Sequence, residues 1–535
     1  MKAKNLKAYE VQQIGKDIVI RDSSGHQINS ADITAIFDFL LEPGFDTMKV
    51  FWDLDGAVAP VLRSLGLEIC RKIAEAHAAV FGFDDSEVVY SIFYLSDKLF
   101  TLKKVSGSNH TKQEATFYGL NGFFNDDEPE PASACALQER GDKLMSEMGK
   151  IGIFPTKLTS PIGAYVSACK LPSLPAISDF PDEFLPALFY AEQCLGREWR
   201  ENLAVGHYAD DECFSFDLSS AYGSIAAGLP DLRYAEFLYS KEMVDSAFWG
   251  FLRGRVTIND DVRVSPIITR LGDGTQVHPV GSWTTYLTLD EVRFIEHYQI
   301  GSFVLEDGWF IKIKHFVAPL QELMERLYAY RTQSDRILNT VLKRIPSGIC
   351  GMLHEHRESS LGALFNPIWF AEVTTINRLK VARLIYDNAA QDNIVKINID
   401  GLMADRPLLI ASGTRMGAWR QVPSQATVIL SPELVFAGDK HPFGLYYSKL
   451  RAMISKHPKS TLYEDRTIKK RVTLSEALNN HNLASLGEIT TRSARVDLTL
   501  LAQSQIRNFP RFPRTGEELI EGKFHSTPIR LGRKG

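Results

Sequence analysis

Residues 214–230 read Phe-Ser-Phe-Asp217-Leu218-Ser219-Ser220-Ala-Tyr222-Gly-Ser-Ile-Ala-Ala-Gly-Leu-Pro, and the interpretation of the chain begins here. Two Phe residues lead into one carboxylate, and small residues closed by Gly-Leu-Pro follow, which predicts a buried strand, a turn and a short helix. Asp217 then ends the strand, where a carboxylate can ligate a metal ion. We expect Ser219 and Ser220 to cap the helix, beside N–H groups that favour an anion such as a triphosphate.

A strand-ending Asp before a Ser-rich cap also occurs in structures without catalysis. However, the order Asp217-x-x-Ser-x-Tyr222-x-Ser-Ile resembles motif A of the family B DNA polymerases, Asp-x-x-Ser-Leu-Tyr-Pro-Ser-Ile, with Ala221 for Leu and Gly223 for Pro. The resemblance implies that Asp217 binds metal and that Tyr222 lies under the sugar of a dNTP and excludes a 2′-hydroxyl.

The length and the charge distribution of the chain are compatible with this resemblance. A chain of 535 residues can hold about three or four structural units. Residues 441–535 carry a net charge of +9 and the first 440 residues carry −14. A basic C-terminal quarter that follows an acidic remainder of the chain is typical of a phosphate-binding segment next to a metal-binding one. A solvated basic surface would give the same charges.

Cysteine spacing and hydropathy exclude several classes of protein. The six cysteines are scattered without a Cys-x-x-Cys pair, so they indicate neither a zinc site nor a disulfide framework, and we expect a reducing, cytoplasmic setting. No apolar run approaches the roughly 20 residues of a membrane span, so no membrane partner is expected. The N-terminus lacks the apolar core of a signal peptide.

Residues 1–185 read as alternating strands and helices, with strands over 16–21 and 48–52 and a helix over 60–76. In family B polymerases a ribonuclease-H-like 3′–5′ exonuclease domain stands here, and its carboxylates hold two metal ions. Asp22 takes the first-strand position in place of Asp-x-Glu, and Asp53 and Asp55 could supply the second Asp. Because no Tyr-x-x-x-Asp follows, we expect an inactive remnant; a set completed by Asp85 and Glu87 is the alternative.

Two short segments resemble DNA-contacting elements of the small protein-primed polymerases. Gly196-Arg197 matches part of a Tyr-x-Gly-Gly linker, with a plain turn as the alternative. Thr374 and Arg378 match a Thr-x-x-Gly-Arg pattern in which Asn377 replaces Gly, downstream of an Asn-Pro pair at Asn366. The resemblance assigns template–primer phosphates to these side chains.

Residues 343–351, Lys-Arg-Ile-Pro-Ser-Gly-Ile-Cys-Gly, resemble motif B, Lys-x-x-x-Asn-Ser-x-Tyr-Gly. Here Ser347 replaces Asn and Cys350 replaces Tyr. In the family such a helix presents cations to the nucleotide phosphates, and Arg331, Arg336 and Lys343 would do so here. A solvated face of the helix is the alternative.

Residues 394–405 alternate in polarity on both sides of Asp400-Gly401, which predicts a hairpin with a two-residue Asp-Gly turn. A purely structural turn is one interpretation. The other is motif C, Asp-Thr-Asp-Ser, with Asp400 as the metal-binding second Asp and Asn398 in place of the first.

Ordered matches to motifs A, B and C identify the chain as similar to a small, protein-primed family B DNA polymerase. The expected fold is α/β and α+β, multidomain, with a ribonuclease-H-like exonuclease-type domain followed by a right-hand polymerase. The predicted boundaries are 1–185 for the exonuclease-type domain, 186–300 and 366–440 for the palm, 301–365 for the fingers, and 441–535 for the thumb and basic region.

The resemblance implies two-metal phosphoryl transfer to a primer 3′-hydroxyl. Two Mg²⁺ ions, or Mn²⁺ in their place, would be held by Asp217, Asp400 and a backbone carbonyl near Leu218. The partners would be a DNA template–primer and dNTPs, while a terminal protein, an existing 3′-hydroxyl or no primer at all stays open. The alternatives are a DNA-binding replication or defence factor on a decayed polymerase fold, and an active 3′–5′ exonuclease.

Overall fold

A computed structural model gives the structure of the protein. It describes residues 5–42, 47–83, 87–106, 111–124, 128–150, 152–168, 182–196, 198–331, 336–357, 360–362, 364–411, 413–430, 435–437, 452, 455–456, 463–497, 506–511, 518 and 522–532. The chain divides into two compact units, each built from several segments. Unit 1 comprises Met1–Ser173, Ala329–Ile345 and Arg466–Ala494, and unit 2 comprises Leu174–Tyr328, Pro346–Asp465 and Arg495–Gly535.

The described part of the first 168 residues contains eight strands and five α-helices. The strands are β1 (Asn5–Ile14), β2 (Asp17–Asp22), β3 (Gln27–Ser30), β4 (Thr47–Phe51), β5 (Ala78–Gly82), β6 (Val88–Leu95), β7 (Leu99–Ser106) and β8 (Thr111–Gly119). The helices are α1 (Ile33–Leu41), α2 (Leu54–Ser64), α3 (Leu67–Ala76), α4 (Ala134–Lys150) and α5 (Pro161–Ala168).

One mixed sheet organises unit 1, in the order β3-β2-β1-β4-β8-β7-β6-β5. Strand β4 runs parallel to both β1 and β8, and the other pairs are antiparallel. The predicted strand over 16–21 is confirmed as β2 and that over 48–52 as β4. The predicted helix over 60–76 is two helices, because Gly66 has a positive φ of 80° and separates α2 from α3.

The next part of the chain runs to residue 404. Its helices are α6 (Phe184–Cys194), α7 (Ala221–Ala226), α8 (Leu289–His297), α9 (Gln321–Arg331), α10 (Arg336–Met352) and α11 (Pro367–Asp387). Its strands are β9 (Arg200–Asn202), β10 (Ala204–Tyr208), β11 (Phe214–Leu218), β12 (Ala235–Ser240), β13 (Trp249–Ile258), β14 (Thr269–Arg270), β15 (Gln276–Val277), β16 (Val280–Thr288), β17 (Gly301–Ile313), β18 (His356–Arg357), β19 (Ser360–Leu361), β20 (Ile394–Asn398) and β21 (Gly401–Ala404).

The remaining elements are β22 (Trp419–Val422), β23 (Thr427–Ile429), β24 (Val435–Ala437), β25 (Tyr463–Arg471), α12 (Leu474–Asn479), β26 (Ile489–Asp497), β27 (Arg507–Asn508), β28 (Lys523–His525), β29 (Thr527–Pro528) and β30 (Arg530–Leu531). Three sheets of unit 2 have the orders β22-β11-β21-β20-β9, β24-β23-β10-β28 and β12-β17-β13-β16-β30. The first of these carries the predicted catalytic aspartates.

Local sequence signals explain how the helices around that sheet begin. Thr288 and Glu291 form a reciprocal capping box at α8, as the Thr-Leu-Asp-Glu pattern predicts. The side chain of Asn366 accepts a hydrogen bond from the Trp369 amide, and Pro367 takes the first position of α11. The Asn-Pro pair therefore starts a helix.

The buried side chains of α11 pack against the five-stranded sheet that contains β11. Leu379 and Ile385 of this helix share one hydrophobic core with Phe216 of β11, Ile397 of β20 and Leu402 of β21. Burial of such side chains is worth about 1.5–3 kcal/mol each, so the core fixes the strands that carry the polar residues on the opposite face.

No helix in the part of the chain that the structure describes combines the length and the hydropathy needed to cross a bilayer.

Candidate active site

Asp217 lies on β11, the strand second from the edge of its five-stranded sheet. Its register partners are Gly401 on β21 and Arg420 on β22. The neighbouring Phe216 and Leu218 are buried, whereas the Asp217 side chain is 41% exposed. Alternation along the strand therefore turns the carboxylate away from the core. The strand ends at Leu218, one residue later than the sequence predicts.

Asp400 lies in the turn between β20 and β21. The hairpin is confirmed, but the predicted turn residues Asp400-Gly401 are displaced by one position, because Asn398 pairs with Gly401 and Ile399 and Asp400 form the turn. Ile399 has a φ of +62°, which is strained for a β-branched residue. Its amide donates to the Trp199 carbonyl at 2.7 Å, and its carbonyl accepts from Asn377 Nδ2 at 3.1 Å, so two neighbours hold the strained turn.

The strand register brings these two aspartates together. The Leu218 amide donates to the Asp400 carbonyl oxygen at 3.0 Å, directly beside Asp217. A Cβ at residue 401 would lie 2.9 Å from the Phe216 carbonyl oxygen, so only Gly401 allows this close approach of the two strands. Motifs A and C are therefore neighbours in space.

The donor set suits Mg²⁺ or Mn²⁺. Carboxylate oxygens are hard ligands of the kind these ions prefer, and an octahedral ion held by one or two carboxylates takes its other ligands from water and substrate phosphates. Asn398 is exposed at the end of β20 and offers a neutral amide where the family has a carboxylate. Thus Asp217 and Asp400 would carry the metal binding.

The turn after β11 differs from the prediction. Ser220 is the N-cap residue of α7, but it has a φ of 52° and its side chain makes no capping hydrogen bond. Ser219 is buried, and its hydroxyl lies 3.2 Å from the Tyr328 hydroxyl. The expectation that both hydroxyls cap the helix is wrong, because the left-handed backbone at Ser220 changes the direction in which the chain enters the helix.

A pocket of about 880 Å³ lies in unit 2. Residues singled out from the sequence that line it include Gly196, Tyr222, Ser347, Cys350 and Thr374. Lining residues that the sequence did not indicate include Glu198, Arg200, Arg270 and the stacked rings of His354 and Phe370. The pocket thus combines small residues, aromatic rings and charges of both signs.

Tyr222 links this pocket to the aspartates. Its hydroxyl donates to Glu198 Oε1 at 3.4 Å, and Glu198 also pairs with Arg200 at 2.7 Å. Burial raises the pKa of Tyr222, and the negative charges of Glu198 and Asp400 raise it further. The ring that lines the pocket is therefore a neutral phenol within the electrostatic reach of Asp400.

Cys350 stands in the pocket wall where motif B has a Tyr. Burial raises the pKa of its thiol to about 12, so the side chain is protonated near neutral pH. Such a thiol behaves as a small apolar group. The wall at this point is consequently smaller and less polar than a Tyr would make it.

Of the predicted DNA-contacting residues, Arg378 needs correction. Its guanidinium is 1% exposed and pairs with Glu291 at 2.7 Å, and a Cβ at Gly196 would lie 2.8 Å from its Nη1. The structure gives Arg378 a packing role in place of the predicted phosphate contact. Thr374 is buried and donates to the Ala371 carbonyl within α11. Arg197 lies outside the described residues.

The predicted phosphate-binding cations belong to unit 1. Arg331 ends α9, and its Nε donates to Asn339 Oδ1 at 3.3 Å. Lys343 is exposed on α10, and Arg336 begins this helix, with a side chain outside the described part. The boundary between the units falls after Ile345, so Ser347 belongs to unit 2. The roles of these cations toward a nucleotide stay predictions.

In unit 1, the placement of Asp22 on the first strand is wrong. The first strand is β1, whose single carboxylate, Glu10, pairs with Arg21 and accepts from the Ala134 amide at 3.0 Å. Asp22 ends β2 and pairs with Lys7 at 2.6 Å. Burial alone would raise the pKa of Asp22, but hydrogen bonds from Lys7 and the amides of His26 and Ser24 lower it.

Asp53 and Asp55 are engaged by donors from the protein. Asp53 is the N-cap of α2, accepts from the Gly56 amide and forms an ion pair with Arg471. Asp55 accepts hydrogen bonds from the Tyr94 hydroxyl at 2.7 Å, the Asp97 amide at 2.8 Å and the Ser96 hydroxyl. Within the described residues of unit 1, the group of three potential metal ligands is Asp22, His26 and Glu42, which includes neither Asp53 nor Asp55.

Comparisons with known proteins identify the fold. No family model matches the sequence, and no curated protein matches it. Phi29 DNA polymerase in a ternary complex with primer-template DNA and incoming nucleotide substrates matches with a TM-score of 0.58 and 9% identity, over 93% of this chain and 100% of that chain. The post-translocation binary complex with primer-template DNA gives 0.57 and 10% over the same shares, and the complex with single-stranded DNA gives 0.57 and 9% over 92% and 100%. The chain is therefore a mixed α/β, multidomain protein with the fold of these polymerase structures over nearly its whole length.

Proposed function

We propose that this chain is a DNA-templated DNA polymerase that adds dNTPs to a 3′-hydroxyl by two-metal phosphoryl transfer. One observation carries the proposal: strand register brings Asp217 and Asp400, predicted separately from motifs A and C, to adjacent positions. The fold shared with phi29 DNA polymerase supports the same conclusion, since that protein binds primer-template DNA and incoming nucleotides in its complexes.

Each residue of the site has its own role in the proposed reaction. Asp217 and Asp400 would hold the metal ions, which would lower the pKa of the primer 3′-hydroxyl and neutralise the triphosphate. Tyr222 offers the face of its ring to the sugar, where a 2′-hydroxyl would clash. Ser347 and Cys350 leave room for the base pair in the pocket wall. Arg331, Arg336 and Lys343 brace the phosphates in this proposal.

The surrounding chain would supply the DNA-binding surfaces. In this proposal residues 1–185 form a ribonuclease-H-like exonuclease-type domain without proofreading, and 441–535 form the thumb around the duplex. The partners are a template–primer and dNTPs, and replication of a viral or mobile-element genome in the cytoplasm of a host cell is the expected role. A terminal protein would serve as primer if the protein-primed resemblance extends to initiation.

Extension of a labelled primer–template by the purified chain tests the proposal. With Mg²⁺ and dNTPs we expect the primer to lengthen to the end of the template. Tight DNA binding without extension would favour the alternative, a DNA-binding factor whose catalysis has decayed. Shortening of the primer, lost on substitution of Asp55, would favour the exonuclease alternative.

A further inference from the structure

Arg420 faces Asp217 across the strand pair β11–β22, at a position that the sequence motifs leave without a role. Directly opposed side chains of an antiparallel pair have Cβ atoms about 4.5–5.5 Å apart, so the register alone makes the two side chains neighbours. Arg420 Nη2 lies 2.8 Å from Asp217 Oδ2. The backbone therefore holds a permanent cation beside a carboxylate that the proposed function assigns to metal.

The two oxygens of Asp217 face different neighbours. Oδ2 faces the guanidinium of Arg420, whereas Oδ1 lies 3.7 Å from the Cβ position of Gly401, on the side of the Asp400 turn. An ion shared by Asp217 and Asp400 would thus approach a carboxylate whose other oxygen is already paired. The positive charge of the guanidinium repels the divalent ion and offsets part of its attraction to the carboxylate.

The solvent exposure of the two side chains decides how strongly Arg420 competes with a metal ion for Asp217. The side chains of Arg420 and Asp217 are 53% and 41% exposed, so solvent screens their attraction, and exposed pairs are worth about 0.2–1 kcal/mol. The Arg378–Glu291 pair of the same unit is 1% exposed on both sides and would not open in this way. A divalent ion therefore has less to overcome in competing with the first pair than with the second.

We propose that Arg420 is an internal counterion of Asp217 that competes with the divalent metal ion for the charge of this carboxylate, and that this competition sets the metal affinity of the site. The inference rests on the proposed function, because it takes Asp217 as a metal ligand. Arg420 is a positioning residue here, since it acts on the metal through Asp217.

Binding of Mn²⁺ to the full chain, followed by electron paramagnetic resonance without DNA or nucleotide, tests the proposal. We expect Arg420→Gln to bind Mn²⁺ about two- to fivefold more tightly than the wild type. Arg420→Lys keeps the charge and should stay near wild-type affinity. Arg415→Gln removes the same charge from the segment leading into β22, outside the ion pair, and is the matched control.

Asp217→Asn distinguishes the role of Arg420 from the existence of the metal site. It should weaken Mn²⁺ binding strongly, and Arg420→Gln should give no gain when combined with it. An unchanged or weaker affinity in Arg420→Gln, with the loss in Asp217→Asn retained, would overturn the role of Arg420 alone. Unchanged binding in Asp217→Asn would overturn both this inference and the proposed metal site.

Discussion

Two pairs of aspartates have similar sequence settings and different surroundings in the structure. Asp53 and Asp55 follow the buried strand β4, and Asp217 is the penultimate residue of the partly buried strand β11, beside Asp400. The first pair is engaged by a helix N-terminus, two hydroxyls, an amide and Arg471. For Asp217 the structure gives one exposed ion pair with Arg420. A carboxylate after a buried strand is thus a candidate ligand only when protein donors leave its oxygens accessible.

The largest expected effect tests the Asp217–Asp400 side of this comparison. Asp217→Asn and Asp400→Asn should each lower primer extension by about 10²–10⁴-fold, because losing a metal-bridging carboxylate removes several kcal/mol of transition-state stabilisation. Single-nucleotide incorporation measures the loss. Asp405→Asn, at the far end of the same hairpin, is the control and should extend normally. Near-normal extension by either test variant would remove the catalytic assignment.

As the pH falls, unit 2 should lose folding stability first. The contribution of Asp22 to the stability of unit 1 should be lost only at a lower pH. His278 is buried, and burial lowers its pKa to about 4, below the unfolded value of about 6.5. The unfolded state therefore takes up the proton first, and stability that is complete above pH 6.5 falls as the pH drops toward 4, by about 3 kcal/mol. Asp22 has a lowered pKa, so its contribution is lost only below the usual Asp range.

Chemical denaturation between pH 7.5 and 4.5 measures this difference. His278→Gln should flatten the pH dependence of the unfolding free energy over that range, whatever it does to the absolute stability. His278 stacks on Trp199, whose carbonyl holds the Asp400 turn, so the acid effect reaches the candidate active site. An equally steep pH dependence in the variant would show that another group titrates.

Sugar selection tests whether the pocket serves the Asp217–Asp400 pair. Tyr222→Ala should raise NTP incorporation relative to dNTP by about ten- to a hundredfold, because the ring no longer blocks the 2′-hydroxyl. Tyr222→Phe keeps the ring and should stay close to the wild type. The ratio of kcat/KM values for NTP and dNTP is the measurement, and an unchanged ratio in Tyr222→Ala would assign Tyr222 to packing.

The smallest expected effect concerns Asp53 and Asp55. Asp55→Asn should lower the unfolding free energy by about 1–3 kcal/mol, since it disturbs three hydrogen bonds, and Asp53→Ala should lower it by about 1 kcal/mol through the lost helix cap. Thermal unfolding measures both changes.

Degradation of 3′ ends should be very slow in the wild type, even with Mn²⁺, and no slower in the variants. Brisk degradation lost on substituting Asp55 would show a working nuclease.

The sequence predicts those parts of the site that depend on local pattern. Alternation predicts β11 and the hairpin of Asp400, and Thr288 with Glu291 predicts the start of α8, because each signal lies within a few residues. The turn shifted by one position, since the contacts from Trp199 and Asn377 stabilise a positive φ at Ile399 that no local rule favours. Tertiary contacts overrode the Asp-Gly preference.

The residues that the sequence misplaces depend on distant partners. Arg378 is buried because Glu291, 87 residues earlier, pairs with it, and Asp53 meets Arg471 from the far end of the chain. Strand β1 escaped prediction because its sequence, Asn-Leu-Lys-Ala-Tyr-Glu-Val-Gln-Gln-Ile, is rich in polar side chains. Arg420 carries no motif signal at all, and only the strand register brings it to Asp217.

Templated incorporation of a single nucleotide is the sharpest test of the polymerase assignment. The chain is mixed with a primer–template, Mg²⁺ and one dNTP at a time, and the primer is followed over time. The account predicts that only the complementary dNTP is added and that chelation of the metal stops the addition. No addition while the primer–template is bound, or equal addition of all four nucleotides, would contradict the assignment of this site as a DNA polymerase.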